Sequence, residues 1–190
     1  VDPRWAERIR ILSCLDPDLA HRRLSHFKDP VEAVRAALAA DPATSAAFDE
    51  LSEANLRAFL AEPWVAIGSD ASNRSFVGPL AEGHAHPRAF GTFPRLLGRY
   101  ARVLGLLSLA EAIRRMTSLP ASRLGLKDRG RIAPGMKADL VLFDPAVIRD
   151  EATFRRGAPP RGIREVWVNG ERVLAESGPT GRRPGRVLRA

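Results

Sequence analysis

The chain carries one cysteine, Cys14, among 190 residues. That excludes an internal disulfide framework, and it excludes a thiolate metal cluster supplied by this chain alone. Aromatic residues make up only 6% of the sequence, and no stacking set of the kind that binds single-stranded nucleic acid can be picked out. Long apolar runs are missing too: none approaches the roughly 20 residues that cross a bilayer. The opening VDPRWAERIRIL lacks the apolar centre of a secretory leader. The expectation is a cytoplasmic protein with no membrane partner, in which Cys14 packs as a small apolar residue near a strand end.

Acidic residues are in deficit, since 22 Asp+Glu face 30 Lys+Arg for a formal net charge of +8. The excess is largely arginine and gathers late, at Arg155-Arg156, Arg161, Arg164 and the GRRPGR run of residues 181–186. Such a balance attracts polyanions. No recognised reading motif accompanies it, however, so a solvated arginine-rich surface is expected and a nucleic-acid partner is not. The 45% of hydrophobic residues suffices for one ordinary core or two small ones.

The order of elements is informative. Ile9, Ile11 and Leu12 read as a short strand, and Asp29-Pro30 opens a helix with Val31, Val34, Ala37 and Leu38 at helical spacing. Residues 44–48 form a weaker strand candidate. Ser52 can cap a second helix with Leu56, Phe59 and Leu60 facing inward, and Pro63 stops it. The run VAIGSD (65–70) then reads as a buried strand, so that strands and helices alternate as in a parallel sheet or barrel. A Gly-, Pro-, Ser- and His-rich loop follows to about Gly91, and Thr92 and Pro94 are expected to open a helix bearing Leu96, Leu97, Tyr100 and Leu104. Ser108 and Glu111 have capping-box spacing, and Gly125 suits a helix C-terminus. From about Gly130 the pattern changes to β: ADLVLF (138–143) is a strand and Asn169-Gly170 is a hairpin turn. Trp64 and Tyr100 suit packing, and His21 and His26 suit loops.

Asp70, at the end of an apolar run, poses a chemical question, because an unpaired buried carboxylate is costly. It either caps the next element or faces a site. In a (β/α)8 barrel, catalytic groups sit where strands end, while Asp after a strand is also common for local reasons.

The stretches GSDAS (68–72), HPRAFGTFPR (86–95) with the helical sequence after it, DRGRIAPGMKADLVLFDP (128–145) and VWVNGERV (166–173) resemble the C-terminal part of the N-acyl-D-amino-acid deacylases, or D-aminoacylases, of the amidohydrolase superfamily. The resemblance implies an α/β fold: residues 1–128 as C-terminal βα units of a TIM-type (β/α)8 barrel, and residues 129–190 as strands of a small β-sandwich. It also implies a metal-dependent hydrolase that splits the amide of an N-acyl-D-amino acid. Asp70 is then the acid beside a Zn2+ ion, as metal ligand and catalytic proton shuttle. On the substrate side, Arg88 has the planar fork that suits the substrate carboxylate, or is held in a structural ion pair, His86 shapes the active-site loop, and Ser69 is expected to hydrogen-bond locally and so orient Asp70. His84 and His86 make an H-x-H pair, but it stands after the last barrel strand, away from the family's metal-binding H-x-H.

One carboxylate cannot hold a zinc, which needs about three protein ligands. The chain alone is therefore expected to be inactive: a segment of a longer deacylase, a piece completed by a partner chain that supplies the missing N-terminal barrel part, or a degenerate remnant. Exposed apolar edges and poor solubility should accompany the first case. The alternatives in function are a cyclic amidase of the dihydroorotase or hydantoinase type, or a non-catalytic partner chain that completes a barrel.

Overall fold

The computed structural model describes residues 4–81 and 86–188. The chain divides into two units, one made of Val1–Leu56, Asp70–Phe90 and Ala152–Ala158, the other of Arg57–Ser69, Gly91–Glu151 and Pro159–Ala190.

In the first unit a single helical turn, α1 (Trp5–Arg8), leads into strand β1 (Ile9–Ser13). Helix α2 (Pro30–Ala40) starts as its sequence dictates. The Asp29 carboxylate accepts the amides of Val31 and Glu32 at 2.9 and 3.0 Å, and Pro30 fills a first-turn position whose amide would find no partner inside the helix. Ala33 and Ala37 of α2 meet Ala6, Ile11 and Leu24 in a small core edged by Trp5, Leu19 and Phe27. Cys14 packs against this core, and its thiol donates to the Ala37 carbonyl. Strand β2 (Ser45–Phe48) pairs with β1 with Ile11 opposite Ala46. The pairing is antiparallel, whereas alternation of strand and helix had pointed to a parallel one. The connection holds bends and a 3-10 turn, Leu24–His26, besides α2, so it is not the simple crossover that returns a chain in parallel.

In the second unit, the last turn of α3 (Glu53–Ala61) buries Leu60. The α3 N-terminus is capped as expected, with the Asn55 amide donating to Ser52 Oγ at 3.1 Å. Phe59 faces outward instead of inward, and Trp64 is 60% exposed instead of packed. Its indole N–H donates to Glu62 Oε2 at 3.0 Å, which satisfies the polar edge at the surface.

Residues 65–70 form no strand among the described residues. A strand exists only when a neighbour completes its ladder. Here the Val65 amide donates to the Glu62 carbonyl across a local turn and the Ile67 amide to the carbonyl of the helical residue Arg115, so a turn and a helix take the place of a sheet partner.

Helix α4 (Arg88–Arg95) begins earlier than Thr92 and contains Pro94 within it. A proline inside a helix withholds an amide, and the chain continues as a π-helical stretch over Leu96–Val103 that buries Leu96, Leu97 and Tyr100. The Leu104 amide closes it on the Arg99 carbonyl, five residues back. A side chain at Gly98 would lie 2.3 Å from the Ile148 carbonyl oxygen, so only glycine permits this close approach. Helix α5 (Leu109–Met116) is capped by Ser108, whose Oγ accepts the Glu111 amide. Helix α6 (Ser118–Arg123) ends at Gly125, with φ +70° and the Leu126 amide donating back to the Ala121 carbonyl. Strands β3 (Leu140–Phe143), β4 (Ile163–Val168), β5 (Glu171–Ala175) and β6 (Gly178–Pro179) form an antiparallel meander in sequence order. Asn169 and Gly170, with φ +48° and +84°, make the expected turn between β4 and β5.

Candidate functional site

Asp70 belongs to the first unit and sits in the left-handed region, with φ +48°. Aspartate tolerates that conformation better than most residues, but it remains a sparsely populated one that clusters at functional positions. Its side chain is 88% exposed. The carboxylate is neither buried under apolar neighbours nor the cap of a helix: it meets the guanidinium of Arg88 at 3.0 Å. Arg88 is the first residue of α4 and is itself 44% exposed. An ion pair this open contributes at most about 1 kcal/mol to stability. It holds Asp70 and Arg88 together while leaving both reachable from solvent.

His86 stands two residues before Arg88, and its Nδ1 accepts the Arg88 backbone amide at 3.1 Å. The ring meets Phe154 edge-to-face, with centroids 4.8 Å apart and planes at 78°. Arg10 lies over the Phe154 ring, 4.9 Å from its centroid, and donates to the His21 carbonyl at 2.8 Å. Phe76 and Phe90 stack at 4.9 Å beside the same stretch of chain. Gly157 permits this packing, because a Cβ there would come within 2.8 Å of the Phe90 ring.

The electrostatics follow from that packing. Burial, then the neighbouring Arg88 charge, push the His86 imidazole below its usual pKa, and Asp49 opposes them. Arg10 is likewise lowered, chiefly by burial and by Arg23 and Arg155, against Asp49. Neutral His86 is thus the favoured form next to a permanently charged Arg88.

Of the expected site residues, Asp70, Arg88 and His86 lie in one linked group. Ser69 is half-buried, and among the described residues its hydroxyl has no hydrogen-bond partner. His84 lies outside the described residues. Phe154 and Arg10 were not anticipated. Phe154 sits amid the late arginine excess, which read as a solvated face, and no local pattern announces that it returns to His86.

No group of three or more His, Cys, Asp or Glu able to hold a metal occurs among the described residues. Asp70 has the open carboxylate that one ligand position requires. The described residues therefore fit one donor of a metal site and not a metal site by themselves.

A family profile for amidohydrolases matches residues 17–174. A D-aminoacylase of Alcaligenes xylosoxydans xylosoxydans is 45% identical over 139 residues, which are 73% of this chain and 27% of that protein. A crystal structure of a D-aminoacylase, described as defining a novel subset of amidohydrolases, superposes with a TM-score of 0.82 at 37% identity over 98% of this chain and 38% of that one. The N-acyl-D-glutamate deacylase of Bordetella bronchiseptica, solved with zinc and a phosphonate mimic of the tetrahedral intermediate, superposes at 0.80 with 35% identity over 99% of this chain and 39% of that one. The chain thus spans between about a quarter and two fifths of the length of these relatives.

Proposed function

Because the chain belongs to the amidohydrolase family, we propose that it is the C-terminal segment of a zinc-dependent enzyme that hydrolyses N-acyl-D-amino acids to a D-amino acid and a carboxylate. In this reading residues 1–128 are the last βα units of the barrel, residues 129–190 belong to the small β-sandwich, and the remaining metal ligands come from sequence outside this chain. The observation that carries it is the open Asp70–Arg88 pair, in a chain that follows D-aminoacylase structures over almost its whole length.

Bound zinc in such an enzyme supplies Lewis acidity toward the acyl group. This chain supplies a base and a cation. Asp70, held in an uncommon backbone conformation and open to solvent, takes a proton from the attacking water and returns it to the departing amine nitrogen as the C–N bond breaks. Arg88 offers a planar fork of donors suited to the substrate carboxylate. Since its pair with Asp70 is exposed, an incoming carboxylate competes for the same guanidinium at little cost.

The test is steady-state kinetics on the protein as its gene encodes it. Asp70→Asn should lower kcat by about 100-fold or more, and Arg88→Met should chiefly raise KM for N-acyl-D-amino acids. An Asp70→Asn enzyme within twofold of the parent would end the reading.

A further inference from the structure

The direction in which Arg88 reaches out depends on the first turn of α4, whose backbone amides have no partner inside the helix. Two are met by nearby carbonyls: Ala89 donates to His86 at 3.0 Å and Phe90 to Pro87 at 3.1 Å. The amide of Arg88 itself is met by a side chain, His86 Nδ1, at 3.1 Å. A ring nitrogen accepts only when it carries no proton, so His86 here is neutral with its hydrogen on Nε2. Phe154, edge-on at 4.8 Å, fixes the plane of that ring, and Arg10 over the face of Phe154 steadies it in turn.

We propose that His86 is a positioning residue: its unprotonated Nδ1 anchors the Arg88 amide and thereby sets the path along which the Arg88 guanidinium meets Asp70 and the substrate carboxylate. The part concerning substrate rests on the function proposed above, and the part concerning Arg88 geometry does not.

A pH dependence follows. The charged groups facing the ring are Arg88, two residues on, and Asp49, immediately after β2, while Phe154 presents an uncharged edge. Protonating Nδ1 would turn an acceptor into a donor aimed at another donor, beside a guanidinium. The anchor is therefore intact above the ordinary imidazole range, about pH 6.5, and is lost as pH falls through the lowered pKa of the folded protein.

Three measurements on the native protein test this. Nitrogen NMR of labelled histidine at pH 7.5 should show His86 with bare Nδ1 and protonated Nε2, and the opposite tautomer overturns the proposal. His86→Leu should raise KM about fivefold, the equivalent of one lost hydrogen bond, with kcat little changed. His86→Asn, which retains an acceptor, should restore most of the loss and remove the rise in KM that acidification through the lowered His86 pKa causes in the parent; equal defects in the two variants overturn it. Hydrogen exchange at the Arg88 amide should quicken on acidification in the parent and not in His86→Asn. If Arg88→Met leaves KM unchanged, the substrate reading falls, while the tautomer and the exchange rates still decide for or against the role of His86.

Discussion

The β4–β5 hairpin and the run of residues 60–67, which leaves the end of α3 through a turn, are held in opposite ways. The hairpin carries its own ladder, with Val166 opposite Leu174 and Val168 opposite Glu171, closed by a two-residue turn whose left-handed angles suit Asn and Gly. The run has no ladder. Arg115 donates to the Leu60 carbonyl at 2.9 Å, Arg114 to that of Pro63 and Arg123 to that of Trp64, while the Arg115 carbonyl accepts the Ile67 amide. Three guanidinium groups from α5 and α6 do for this run what a neighbouring strand does for the hairpin. A structure of the first kind is written in the residues that adopt it. One of the second kind is written elsewhere, and it fails when the donors fail.

The sharpest way to break this comparison is Arg115→Met. Arg115 is 2% exposed, with Nε bonded to Glu111 at 2.7 Å, so its loss strands the Leu60 carbonyl and leaves Glu111 to Arg114 alone. We expect a loss of about 2 kcal/mol in urea unfolding, the cost of a buried acceptor left unsatisfied. A loss of under about 0.5 kcal/mol, the size of an ordinary surface substitution, would mean that the arginines merely decorate the run. Next in size is Gly170→Ala in the hairpin. At φ +84° an added Cβ costs about 1–2 kcal/mol, with nothing within 4 Å for it to strike. The effect should be confined to the β4–β5 ladder and visible as faster amide exchange there. Spread of that change to residues 60–67 would blur the distinction between the two regions.

The same contrast explains what was legible in the sequence. Features set by neighbouring residues were readable: the Asp29 and Ser108 caps, the Asn169-Gly170 turn and the Gly125 terminus all depend on a backbone group within a few positions. Features set by a distant partner were not. VAIGSD has the composition of a strand, but composition cannot say whether a ladder partner is present, nor in which direction β2 returns along β1. The start of α4 was misjudged for a related reason: Pro94 usually marks a first turn, yet the His86 imidazole supports a start at Arg88. For the candidate site, the residue types Asp70, Arg88 and His86 were readable from a resemblance. The aromatic support from Phe154 and the cation above it come from sequence remote from His86 and carry no local pattern.

Ser108→Ala probes the donors at one remove. It removes the oxygen that accepts the Glu111 amide at 3.1 Å and should cost about 1 kcal/mol. If the run depends on α5, amide exchange at Ile67 should quicken together with that of the first turn of α5, although Ser108 and Ile67 share no hydrogen bond.

The smallest effect expected is that of acid on the donors themselves. Glu111 takes hydrogen bonds from Arg114 at 2.7 and 2.8 Å and from Arg115 at 2.7 Å, and those bonds lower its pKa to about 2. A carboxyl group with a lowered folded-state pKa stabilises the fold fully above its unfolded value, near 4.5, and the contribution drains away as pH falls toward about 2. Between those limits Glu111→Gln should flatten the acid limb of the unfolding curve. The run should loosen before the β4–β5 ladder does, because its donors are oriented by a charge that titrates, whereas the bonds between β4 and β5 join backbone groups directly. Hydrogen exchange at Ile67 and at Val168, followed from pH 5 down to pH 2.5, would expose the order of loss. Simultaneous loss of both protections would show that the ladder and the borrowed donors melt as one cooperative unit, and the proposed difference in how they are held would then have no energetic consequence.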